Sequence, residues 1–380
     1  EGVPEYAQFF ESFKNGVADS VRGFSHGLEV DFSAFDPNNY ANAMRVVATE
    51  NGNQRSFDEF GTGEQQILLM AFAKAYAQTF SKNSLVLIIE EPEAHLHPLA
   101  LRWLKEYIYN LCGDGLQVVL STHSPDFVDM NNLDGIARVY KTEDGLTHVK
   151  QVSKSDLVNF CIDSGVPENK VSERGIGEYY ETKLTPDQAK GFFANQVLLV
   201  EGETELKALP VFFRRLNHSL ASEGVEIVSC GGKNAIPLLW RLFSAFDIEC
   251  KCLFDADGGC GNNELCRLLG ISQNQITTSE SAFVCGDRYA FYRYNFEKCM
   301  KAQIAEYEVL LEEIRSNYLI KSKPSEACVM AKIMDKSSIP IFVFQLWDMI
   351  SQGTEESVKE PVNFDEFGSY GFGAYDALDR

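Results

Sequence analysis

Apolar residues recur at helical spacing near the start of the chain (Tyr6, Phe9, Phe10, Phe13, Val17, Val21), which predicts an amphipathic helix within residues 1–24. Between Leu28 and Thr49, short apolar–polar alternations are broken by Asp36-Pro37-Asn38-Asn39, the pattern of a β-hairpin. A helix is expected from Gly61 to Phe80, opening out of a glycine-rich turn. The aliphatic run Leu85–Ile89 predicts a strand buried on both faces. A helix from His97 to Leu111 and a second buried strand, Gln117–Ser121, follow. Alternation of this kind predicts a parallel sheet with helical layers.

Residues 141–194 are polar and aperiodic and are punctuated by Gly165, Pro167, Gly175, Gly177 and Pro186, so a connector, in part helical, is expected there. A second alternating block then begins: strand Val197–Val200, helix Thr204–Leu216, strand Glu226–Ser229, helix Ala235–Phe246 and strand Cys250–Phe254. A less regular stretch leads to a long amphipathic helix expected over Phe296–Tyr318, and the acidic tail after Gln352 is expected to fray. The predicted fold is α/β throughout, with domains at 1–150 and 195–350, a connector at 151–194 and a tail at 351–380.

Composition narrows the function classes. Apolar residues make up 45% and charged residues 23%, which argues against wholesale disorder. No run approaches a membrane span or a secretory signal, and ten cysteines without such a signal read as reduced thiols of a cytoplasmic protein. The spacing of Cys250, Cys252, Cys260 and Cys266 is not that of a zinc finger or ribbon. The chain opens Glu1-Gly2-Val3, without an initiator Met, so a fragment of something longer is expected. A formal charge of −21 speaks against a nucleic-acid partner, but residues 195–350 hold 16 basic against 20 acidic groups, a near balance that bound divalent cations would tip to neutral or positive.

Two constellations carry chemistry. In the first, Glu90-Glu91-Pro92-Glu93 follows a predicted buried strand, so that two carboxylates stand at its carboxyl end, where α/β sheets collect ligands. The next strand ends in Ser121-Thr122-His123, which brings an imidazole to the same edge, and Gly61-Thr62-Gly63-Glu64-Gln65 opens a helix whose free N–H groups suit a phosphate. In the second, Val197–Val200 runs into Glu201-Gly202-Glu203-Thr204-Glu205, and Leu253-Phe254 runs into Asp255-Ala256-Asp257. If the latter segment is extended, Asp255 and Asp257 face one side. Glu205 falls one turn into a helix on the same side as Glu201, and Gly231-Gly232-Lys233-Asn234 is a glycine turn at the same edge. Carboxylates this dense repel one another unless a cation lies between them, and hard oxygen ligands suit Mg²⁺ or Mn²⁺.

The first constellation resembles the C-terminal half of an ABC-type ATPase head of the RecF/SMC kind. That resemblance implies that Glu90-Glu91 is the Walker B pair, with Glu90 departing from the usual Asp. It further implies that Gly61 and Gly63 belong to the signature turn and that His123 is the switch histidine. No G-x-x-x-x-G-K-[ST] loop occurs in the chain, so ATP binding is expected only of a full-length protein that supplies one. The second constellation resembles a TOPRIM domain, whose hallmarks are a Glu after the first strand and an Asp-x-Asp after the third.

In this order the two resemble OLD (overcoming lysogenization defect) family nucleases, with the nuclease subunit of the Gabija anti-phage system as a close relation. The resemblance implies two-metal phosphodiester hydrolysis of DNA, with Glu201, Glu205, Asp255, Asp257 and Glu297 as metal ligands and Lys323, with Lys321 as a possible substitute, stabilising the transition state. It also implies a homodimer or higher homo-oligomer, a possible helicase-like partner and a role in anti-phage defence, with no membrane association. The rival reading is a non-catalytic RecF/SMC-like DNA-repair ATPase whose TOPRIM domain is a scaffold; a topoisomerase and an RNA-processing hydrolase stand behind it.

Overall fold

The computed structural model describes residues 4–20, 27–31, 45–50, 53–56, 61–81, 86–94, 96–113, 116–142 and 144–351. The turn 32–44 of the expected hairpin and the acidic tail lie outside them. Two compact units, Glu1–Phe127 and Val128–Arg380, divide the chain.

In the first unit, helix α1 (Pro4–Ser20) lays Phe9, Phe13 and Val17 against Leu68, Ala71 and Ala75 of α2 (Thr62–Tyr76), the i, i+4, i+8 pattern meeting a small-residue stripe. Strands β1 (Gly27–Asp31), β2 (Arg45–Glu50) and β3 (Asn53–Ser56) form an antiparallel meander, in which the expected hairpin is the β1–β2 pair. A parallel pair follows, β4 (Val86–Glu90) and β5 (Gln117–Ser121), linked by α3 (Pro98–Gly113). Leu104, Tyr107, Ile108 and Leu111 of α3 cover Leu87, Ile89, Val118 and Leu120. The expectation that both strands are buried on both faces fails: they alternate, and Ile88 is 78% exposed. Among the described residues these two strands form a sheet of their own with one helical layer, so one face of each aliphatic run stays uncovered.

The second unit is built on a five-stranded sheet of order β11-β12-β10-β8-β9. Its strands are β8 (Gln196–Val200), β9 (Val225–Ser229), β10 (Glu249–Asp255), β11 (Phe283–Cys285) and β12 (Tyr289–Tyr292). All pairings are parallel except β11–β12. Every residue of β8 is buried, because helices cover both faces. Val197 and Leu199, with Cys250, Cys252 and Phe254 of β10, point into one core, and Leu198, Val200 and Leu253 point into the other.

Residues 128–150, expected to end the first domain, and 151–194, expected to be a connector, belong to this second unit, and several of them fold into the first of its cores. Strands β6 (Ala137–Lys141) and β7 (Thr147–Gln151) form a hairpin, and α4 (Lys154–Asp163) and α5 (Glu173–Lys183) contribute Leu157, Cys161, Ile176 and Tyr180. Their apolar positions are spaced by short capped helices, which masks the period over so brief a span. Arg138 binds the hairpin to the sheet layer by donating to the carbonyls of Ala194, Phe246 and Asp247.

Helices α6 (Glu203–Arg215) and α7 (Ile236–Ala245) flank the sheet, and α8 (Asn263–Leu269) follows the Asp255–Asp257 turn. The single helix expected over Phe296–Tyr318 is two, α9 (Phe296–Gln303) and α10 (Tyr307–Asn317), because Ile304 turns extended to bury its side chain in the second core. Helices α11 (Lys323–Ile333) and α12 (Ile341–Ser351) complete that core. Lys251 and Gln196 donate to Met349 O and Ile350 O, which fastens the end of α12 to the sheet. Among the described residues no helix is long and apolar enough to cross a membrane.

Candidate metal centre

The sheet order decides which acidic residues meet. Strand β10 lies beside β8, with Leu253 opposite Val200, so Glu201, just after β8, and Asp255, the last residue of β10, emerge at one edge. The Asp255 N–H donates to Glu201 Oε2 at 3.2 Å. Glu205, in the first turn of α6, is only 5% exposed. Burial, followed by the nearby Glu201 and Glu297 carboxylates, pushes its carboxyl up to about 7. Asp255 is pushed up to about 8, first by burial and then by Glu205, Glu201, Asp257 and Glu297. Glu201 is raised as well, mainly by burial. Each of these groups resists ionising in the folded chain because its neighbours are of like charge and water is scarce.

The fit of this set to a divalent cation rests on an orphaned atom. Asp255 Oδ1 is buried and has no hydrogen-bond partner, and the same holds for the hydroxyl of Tyr292, the residue directly opposite Asp255 on β12. A buried carboxylate oxygen without a donor, within the field of four other carboxylates, fits a hard cation. Among the described residues, no three His, Cys, Asp or Glu side chains form a closed ligand shell. The carboxylates share one field without converging on one point.

Asp257 departs from the expected extended geometry. Ala256 is helical in φ and ψ, and Asp257 has φ +49°, so the chain turns away at once and the two aspartates do not stand in i, i+2 alignment. Carbonyl groups of β12 and the segment after it cause the turn: Tyr292 O, Tyr294 O and Arg293 O accept from the N–H groups of Ala256, Asp257 and Gly258. Buried Asn262 closes the loop by donating to Ala256 O at 2.8 Å, and Gln273 donates to Gly259 O.

Asp257 faces Lys233, which sequence reasoning did not single out. Lys233 Nζ donates to Asp257 Oδ2 at 2.6 Å, to Asp255 O at 3.1 Å and to Cys260 O at 3.0 Å. Gly231 (φ +75°) and Gly232 (φ +144°) let the turn deliver this ammonium to the sheet edge. The Gly-Gly-Lys triplet after a buried strand was the available signal.

Glu297, in the first turn of α9, and Lys323, the first residue of α11, come together, with Lys323 Nζ 3.2 Å from Glu297 Oε1. Glu297 joins the acidic field through its effect on Glu205 and Asp255.

In the first unit, His123 Nε2 lies 3.4 Å from Glu91 Oε1, so the sheet brings together residues just beyond the ends of neighbouring strands. Glu91 has φ +42°, an uncommon conformation for a non-glycine residue, held by its N–H donating to Ser121 O. Glu90 is exposed. Glu93, overlooked at the sequence level although it belongs to the same acidic turn, accepts from Thr122 Oγ1 and from the His123 N–H, both at 2.7 Å. Gly61 and Gly63 stand at the start of α2, where Gly61 O accepts from the Gln65 N–H.

The chain thus sets a parallel strand pair with Glu91 and His123 beyond its ends before an α/β unit whose carboxylates gather at adjacent strand ends. Residues 5–128 match the AAA ATPase domain, and residues 192–257 match the family "Overcoming lysogenization defect protein-like, TOPRIM domain". The chain is 30% identical over 234 residues to the OLD nuclease of Thermus scotoductus (strain ATCC 700910 / SA-01), covering 60% of this chain and 42% of that protein. It is 27% identical over 210 residues to the Old nuclease of Escherichia phage P2, covering 53% of this chain and 34% of the relative. The C-terminal region of the Xanthomonas campestris pv. campestris OLD protein aligns with 42% of this chain and 95% of its own, at 20% identity and a TM-score of 0.33. The chain thus carries an AAA-type ATPase region and an OLD-like TOPRIM domain, and it spans less than half the length of the curated OLD nucleases it matches.

Proposed function

We propose that the TOPRIM unit hydrolyses phosphodiester bonds in DNA with two divalent cations, Mg²⁺ or Mn²⁺, and that the ATPase region regulates access to the DNA. The observation that carries this reading is the buried, unpartnered Asp255 Oδ1 among Glu201, Glu205, Asp257 and Glu297. Glu201, Glu205, Asp255, Asp257 and Glu297 hold the cations. When bound, such ions supply a nucleophile at neutral pH and neutralise charge on the transferred phosphoryl group and the leaving oxygen.

The chain's own residues do the remaining work. Lys233 fixes the loop that presents Asp257 and leaves the outer oxygen of that carboxylate for a ligand. Lys323, 3.2 Å from Glu297, would stabilise the charge that develops on the phosphate. Of Glu201, Glu205 and Asp255, the one left protonatable takes the proton from the attacking water.

In the ATPase region, Glu90 and Glu91 serve the nucleotide and His123 senses it, while the Gly61–Gly63 turn meets the nucleotide of a second copy. The assembled protein is a homodimer or higher oligomer, cytoplasmic, with a helicase-like partner, and acts in anti-phage defence of the Gabija type.

Incubation of the chain with supercoiled plasmid and Mn²⁺ tests the reading. Nicked or linear product, absent with Asp255→Ala, supports it. Intact plasmid at every metal concentration favours the scaffold reading instead, in which the TOPRIM fold serves a DNA-repair ATPase without cutting.

A further inference from the structure

Beside the acidic centre stands an exposed aromatic ring with two cations on it. Tyr294 is 43% exposed, Lys298 Nζ lies 4.4 Å from its ring centroid and the Arg293 guanidinium lies 5.5 Å from it. The ring is fixed to the metal-site loop through the backbone. Tyr294 O accepts from the Asp257 N–H at 3.1 Å, and Arg293 O accepts from the Gly258 N–H at 2.8 Å. Its other end leads into α9, where the Asn295 side chain caps the helix by accepting from the Lys298 N–H and Glu297 occupies the first turn. The ring therefore sits on the stretch that accepts from the Asp257 N–H through its backbone and leads, three residues on, to Glu297. Gly258 has φ +66°, and a Cβ placed there would come within 3.3 Å of Tyr294 Cε1, so backbone alone lies against the ring.

The ring is open to solvent, and the two cations beside it, of which Arg293 also donates to Glu280 O at 3.3 Å, lie where they can meet anions from outside. Nucleic-acid bases offer a π-face that any aromatic side chain can stack on, and phosphates need cations beside them. We propose that Tyr294, with Arg293 and Lys298, is a stacking platform for an unpaired base of the strand being cut, so that the site takes single-stranded or frayed nucleic acid in preference to closed duplex. This rests on the nuclease reading, because the strand is taken to enter for cleavage. In this arrangement Tyr294 stacks the base while Lys298 and Arg293 hold the flanking phosphates; all three bind substrate, and none takes part in the chemistry.

The experiment uses the full 380-residue chain carrying Asp255→Ala to prevent cleavage, in Mn²⁺. Binding is read as fluorescence anisotropy of a labelled single-stranded DNA 20-mer and of the blunt duplex of the same sequence. Tyr294→Ala is expected to weaken single-strand binding about 10-fold. Tyr294→Phe keeps the ring and is expected to stay within about 2-fold of the parent, as is duplex binding by either variant. Lys298→Ala, at an exposed position, is expected to lower the slope of log affinity against log salt by about 1 for the single strand, and it tests the platform even if Tyr294→Ala fails to fold. Unchanged binding by Tyr294→Ala, a Phe variant as weak as the Ala variant, an equal loss on duplex, or an unaltered salt slope for Lys298→Ala overturns the platform. Plasmid nicking by the chain without Asp255→Ala, measured alongside, judges the nuclease reading separately: nicking with no Tyr294 effect removes only the platform, and a Tyr294 effect without nicking removes only the nuclease.

Discussion

Two clusters of carboxylates end parallel strands in this chain, and their surroundings set them apart. In the first unit Glu91 and His123 meet in the open, their side chains 50% and 81% exposed, where water screens the contact. In the second unit Glu205 is 5% exposed and Asp255 keeps one oxygen buried without a partner. Similar residue types at similar topological positions thus yield an ordinary surface pair in one place and an electrostatic demand in the other. What differs is cover. Strands β4 and β5 have one helical layer among the described residues, whereas β8 and β10 lie between two. Burial turns a row of acids into a cluster whose members resist ionising.

The largest expected effect breaks the buried cluster. Asp255→Ala should lower cleavage by on the order of 10³-fold, because losing several kcal/mol of charge stabilisation costs about that factor. Circular dichroism should show an intact fold, and the metal-free variant should melt no lower than the parent, since the removed carboxylate was repelled by its neighbours. Second in size is a pH effect in EDTA. The folded chain keeps protons on Asp255 (about 8) and Glu205 (about 7) that the unfolded chain gives up near 4 to 4.5, so unfolding releases protons throughout that interval. Metal-free stability should therefore fall as pH rises from about 4 to about 8, by roughly 3–10 °C in melting temperature, and Mn²⁺ should flatten the profile.

Lys233→Ala sharpens the comparison from the cationic side. It strips Asp257 and two carbonyls of their shared donor, and a loss of about 1–3 kcal/mol in stability is expected by chemical denaturation. Lys323→Ala, whose partner contact is largely at the surface, should change stability by under about 1 kcal/mol while reducing turnover. The smallest effect belongs to the exposed pair: His123→Ala should shift unfolding of this chain by no more than about 0.5 kcal/mol.

Much of this was legible in the sequence. The alternation of short apolar runs with helical stretches marked β8 and β10 as strands of one sheet, and the acids at their ends could be assigned to one edge because parallel strands end together. The aliphatic run at β4 misled, since pattern alone does not reveal how many layers cover a sheet. Residues expected to connect domains proved to be part of a core, as their apolar positions are divided among short helices too brief to show a period. The Asp255–Asp257 segment looked extended, but the carbonyls that bend it come from Tyr292, Arg293 and Tyr294, far along the chain. Lys233 was read only as part of a glycine turn at that edge, and Asn262 was not read at all, for the same reason: their partners are set by tertiary contacts.

The central claim is most directly tested by calorimetric titration of the metal-free chain with MnCl₂ at pH 7. The account predicts saturable binding accompanied by proton release, because Asp255 and Glu205 give up protons as the cation enters, and predicts that Asp255→Asn or Glu205→Gln removes most of the heat. A flat titration of the parent chain, or binding that both substitutions leave unchanged, would contradict it.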